Sequence, residues 1–62
     1  MPLSKKDTDR IAMQLSNAQV QTDDGINEQI QSIRRNGEPS PDSYRGVLLA
    51  GYLKILANRQ SR

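Results

Sequence analysis

The side chains here with chemistry to offer are serines, acids, lysines and two tyrosines; histidine and cysteine are both absent. Ser, Asp, Lys and Tyr therefore lack the commonest general base beside them, and the most reactive nucleophile is missing. The same absence removes disulfides and the thiolate and imidazole ligands of metal sites. Asp23-Asp24-Gly25 does not supply a calcium loop, because the alternating ligands and the closing Glu are missing. No glycine-rich loop able to cradle phosphate occurs. The expectation is a protein that binds rather than catalyses, with no cofactor and no small-molecule substrate.

Charge narrows the partner only slightly. Nine basic against seven acidic side chains leave a net charge of +2, compatible with nucleic acid without specifying it. Both tyrosines lie in the last segment, so no base-stacking platform is expected. The N-terminal lysines, Lys5 and Lys6, precede no apolar run, which argues against a signal peptide. The longest apolar segment is interrupted by Lys54 and is too short to span a bilayer. With no cysteine, a cytoplasmic location without membrane contact is the expectation.

The elements that must position these residues begin with residues 44–57, which read as a helix that is apolar on every side. Tyr44, Leu48, Gly51, Tyr52 and Ile55 form one stripe, Leu49, Leu53 and Leu56 a second, and Val47, Ala50 and Ala57 narrow the gap. Such a helix needs burial nearly all round. A 62-residue chain is one domain of marginal core size. Disulfides and metals being unavailable, the sequence predicts a homodimer sharing an interior. Gly46, Ala50 and Gly51 are small residues suited to close helix crossing.

The boundary before this helix is sharp. Asn36-Gly37 closes the preceding element, since glycine tolerates the left-handed position past a helix end. Ser40 reads as N-cap, Pro41 as the first helical residue and Asp42 as a favourable charge near the helix start, giving a helix over 41–58. The middle segment carries Ile26, Ile30 and Ile33 on one helical face, capped by Thr22 or Asp23, with Arg34 and Arg35 suited to its C-terminal end.

Two readings compete for the N-terminal segment. Ser4 to Asp7 resembles a capping box, and Thr8, Ile11, Leu15 and Ala18 would then line a helix, leaving Met13 and Val20 off its apolar face. Alternatively residues 10–15 alternate strictly, with Ile11, Met13 and Leu15 inward and Arg10, Ala12 and Gln14 outward, as in a strand. Helix propensity favours the first reading. The strand is preferred here because it buries all three large apolar side chains, with a second copy supplying its partner strand.

In this order of elements the chain resembles the ribbon–helix–helix family of repressors. Residues 10–16 match the ribbon, Asn36-Gly37 the turn, and Ser40 opens the second helix with Leu48, Leu49, Tyr52 and Leu53 at its core positions. The resemblance implies a helix-rich fold with one short N-terminal strand, in a homodimer whose paired ribbons enter the major groove of double-stranded DNA. Arg10, Ala12 and Gln14 would then contact bases: Arg suits guanine, Gln adenine, and Ala a thymine methyl. Ser40, Lys5, Lys6, Arg34 and Arg35 would contact phosphates. The shared core would hold Ile11, Met13, Leu15, Val47, Leu48, Tyr52 and Ile55. The layout implied is a flexible arm over 1–9, the binding domain over 10–58 and a tail over 59–62, in a sequence-specific transcriptional repressor. The alternative fold is three helices without a strand. Its function would be that of a small helical interaction module or inhibitor, of anti-sigma type, without DNA.

Overall fold

The computed structural model describes residues 3–60, and among them the secondary structure is wholly helical: α1, Lys5–Ala18; α2, Asp23–Arg34; α3, Tyr44–Gln60. The expected strand over residues 10–15 is instead the middle of α1, so the ribbon–helix–helix fold is corrected to the three-helix alternative. The local reasons are visible in the sequence. Ser4 is an extended N-cap whose Oγ accepts the Asp7 N–H at 3.2 Å, and the Thr8 N–H reaches the Ser4 carbonyl at 3.0 Å. Ala12, Met13 and Gln14, strong helix formers, follow that start. Ile11 and Ala18 are buried on one side, with Leu15 half-buried against the core. Met13, the residue that made a strand attractive, is 68% exposed, and Val20 is 89% exposed.

α2 follows the sequence reading closely. Thr22 Oγ1 accepts the Gly25 N–H at 3.2 Å, and Asp23 and Asp24 occupy the first turn, where the helix dipole favours negative charge. Ile26, Ile30 and Ile33 are all buried, Ile26 completely. The helix ends at Arg34, and Gly37 takes the left-handed conformation at φ +104°, its N–H returning to the Arg34 carbonyl at 2.9 Å.

The start of α3 is corrected by one turn. Ser40 does not cap it. Its carbonyl accepts the Ser43 N–H at 3.0 Å and the Ser43 hydroxyl at 2.7 Å, so Pro41 and Asp42 form a turn rather than the first helical residues. Ser43 is the capping residue: its Oγ accepts the Gly46 N–H at 3.0 Å and its carbonyl the Val47 N–H at 2.9 Å. The C-terminal end runs past residue 58, Arg59 and Gln60 being helical, while residues 61 and 62 of the expected tail lie outside the described residues. The expected arm over 1–9 is helical from Lys5, with Met1 and Pro2 outside the described residues.

α3 is the element around which the other two pack. Leu48, Leu49, Tyr52, Ile55 and Leu56 are buried against Ile11 and Ala18 of α1 and the three isoleucines of α2. The sequence argument assigned this cover to a second chain; α1 and α2 of the same chain supply most of it. Ile11, Leu48, Tyr52 and Ile55, expected in a dimer core, lie in the chain's own core, with Leu15 and Val47 half-buried beside it. Fully burying such a side chain contributes about 1.5–3 kcal/mol.

Candidate interaction surface

The residues expected to read bases do not form one set. Arg10, Ala12 and Gln14 are all exposed on α1, but at about 100° per residue Ala12 points away from the other two. The Gln14 amide donates from Nε2 to Tyr44 Oη at 2.6 Å, so it joins α1 to the first residue of α3. Lys6 and Arg10 share one side of α1 at i, i+4, and Lys5 stands beside Asp9 at the same spacing. Arg34 is paired with Glu38 at 2.9 Å, Arg35 is exposed, and Ser40 spends its carbonyl on Ser43.

Two arginines that drew no functional expectation hold the helices together. Arg45 donates from Nη2 to the Ile33 carbonyl at 2.5 Å, placing a cation at the negative C-terminal end of α2. Arg59 donates from Nη1 to Asp23 Oδ1 at 2.7 Å and from Nη2 to the Ala18 and Gln19 carbonyls at 3.3 and 3.0 Å. One guanidinium thus bridges the end of α1, the start of α2 and the end of α3. Its planar fork is what permits several acceptors at once. A hollow of about 440 Å³ beside it is lined by Gln19, Ile55, Asn58 and Arg59. Nearer the start of α3, burial pushes the Tyr52 phenol above its usual value, and Tyr44, half-buried beside the core, adds to the effect.

What α1 and α2 leave uncovered is a narrow side of α3. Ala50, Leu53 and Ala57 are exposed and lie within about 60° of arc. Leu53, at 39% exposure, is a large apolar side chain open to solvent. The loop preceding α3 folds back alongside it at Gly46, whose missing Cβ makes room for the Ser40 carbonyl. Between loop and helix runs a groove of about 180 Å³, walled by Glu38, Pro39 and Pro41 and floored by Gly46, Leu49, Ala50 and Leu53. Prolines keep the loop rigid, and an apolar floor beside a fixed wall is the form of many protein-docking sites. The sequence showed these residues only as part of an all-round apolar helix; nothing local in it said which side would stay open.

No helix among the described residues is long and apolar enough to cross a membrane. No protein-family model, curated protein or solved structure matches this chain.

Proposed function

We propose that this chain is a non-catalytic protein-interaction module that docks through the solvent-facing side of α3 and the proline-walled groove beside it. The observation that carries the reading is Leu53, an open leucine at the edge of an apolar groove whose other side is a rigid loop. The placement of the cations supports the same choice. Arg45, Arg59 and Arg34 are engaged in contacts within the chain, and Lys5 and Arg10 share their stretch of α1 with Asp7 and Asp9. The ribbon that would have carried Arg10, Ala12 and Gln14 into a major groove is replaced by helix.

A photo-cross-linking amino acid at position 53, introduced in the cells that make the protein, tests this. A discrete protein adduct is expected at position 53 and none at position 31, on the outer side of α2. Absence of an adduct at 53, or a nuclease-sensitive adduct from position 10 alone, would reject the module in favour of nucleic-acid contact through α1.

A further inference from the structure

We propose that the occupant of the α3 groove is a second copy of this chain, related to the first by a two-fold axis lying along the open stripe of α3. This rests on the interaction-module reading and adds the identity of the partner. The stripe has two chemically different sides. On one, the loop wall carries Glu38, exposed. On the other stands Lys54, about 40° round the helix from Ala50, exposed and without an ion pair among the described residues.

A two-fold axis along the stripe exchanges its sides. Each Lys54 then faces the side on which the other copy carries Glu38, which shares its groove with Leu53, and each Leu53 meets the other copy's Ala50 and Ala57. An isologous pair requires this of a patch: both halves of every contact must be present on one surface. Glu38 uses Oε1 on Arg34, and its Oε2 is not part of that pair. A polyanion such as DNA offers no cation to the second carboxylate oxygen of Glu38, whereas a second copy brings a lysine to it. This interface differs from the interior sharing that the sequence suggested, because Ile11, Leu48, Tyr52 and Ile55 stay within each copy's own core.

Sedimentation equilibrium of the purified full chain, from about 10 µM to about 1 mM, reads the result directly. The wild type is expected to reach twice 7.0 kDa reversibly. Leu53→Glu and Ala57→Glu, both at exposed positions, are expected to sediment as single copies with unchanged far-ultraviolet circular dichroism. Lys54→Glu, which turns two attractive contacts into repulsive ones, is expected to weaken pairing about tenfold. A wild type that stays a single copy at the highest concentration, or a pair indifferent to all three substitutions, overturns the proposal. In the first case, a position-53 adduct with a different protein would leave the module reading standing and reject only the second copy as its partner.

Discussion

The carbonyl of Ser40 rests against the bare backbone of Gly46, where a Cβ would overlap the carbonyl oxygen and crowd Pro41. In an open helix, Gly→Ala adds about 1 kcal/mol of stability. Here the loop backbone would have to move, and Ser40 is also the acceptor that holds Ser43 in its capping position. Gly46→Ala is therefore expected to destabilise by about 1–3 kcal/mol, read from urea unfolding. Gly51 is a milder case: its Cβ would meet the tip of the half-buried Leu15 side chain, which can turn aside. A smaller loss at Gly51→Ala than at Gly46→Ala is the expected order, and the reverse would mean that the loop does not press on Gly46.

Arg59 joins three segments through one side chain, so its removal should cost more than a surface ion pair. Arg59→Ala is expected to lose about 2 kcal/mol, since two backbone carbonyls and a carboxylate lose a charged donor together. Asp23→Asn removes only the partly exposed ionic contact and should cost less than about 1 kcal/mol. Thermal or chemical unfolding of both variants checks the ratio; equal losses would assign the effect to Asp23 rather than to the carbonyls.

The helical identity of residues 10–15 has a direct mutational signature. Ile11→Ala is expected to cost about 2–5 kcal/mol, as a buried core truncation. Met13→Ala, at an exposed helical site, should fall within about 0.5 kcal/mol of wild type. Similar large losses at both positions would revive the alternating pattern of a strand.

Alkaline pH should loosen the fold through Tyr52. Its phenol holds its proton more tightly when folded than when unfolded, because burial, then the nearby Tyr44, disfavour the phenolate. The associated stability is complete below the ordinary tyrosine value of about 10 and is lost as pH rises through the folded value. Ultraviolet titration at the phenolate band, followed alongside helicity, should show one tyrosine ionising late. Tyr52→Phe should flatten this part of the stability profile, and an unchanged profile would place its origin elsewhere.

Much of the helix inventory was legible because it is local. Ser4, Thr22 and Gly37 sit where caps and a left-handed turn must sit, and the Ile26, Ile30, Ile33 spacing admits one period only. α1 was ambiguous for a definite reason: Ile11 and Leu15, four apart, satisfy a period of two as well as one of 3.6. Met13 was the deciding residue, and an exposed methionine leaves no mark in a sequence. At Ser40 a serine followed by proline and aspartate fits a helix start; a second serine three residues later fits it too, and only the turn between them decides. The contacts of Arg45 and Arg59 depend on where helices cross, which no local pattern encodes. The demand of α3 for cover is written in its composition, but the source of that cover is not, because α1 and α2 each contribute a buried stripe to it.

The central place of α3 sets an order for synthesis. Both earlier helices present their isoleucines to a surface that is translated after them, so neither has that surface to dock on while the ribosome is still adding residues 44–56. The nascent chain leaves the exit tunnel as two amphipathic segments without a shared interior, and cooperative collapse waits for Tyr52, Ile55 and Leu56 to emerge. A premature stop anywhere in that stretch yields a polypeptide fit for proteolysis, not a shortened domain.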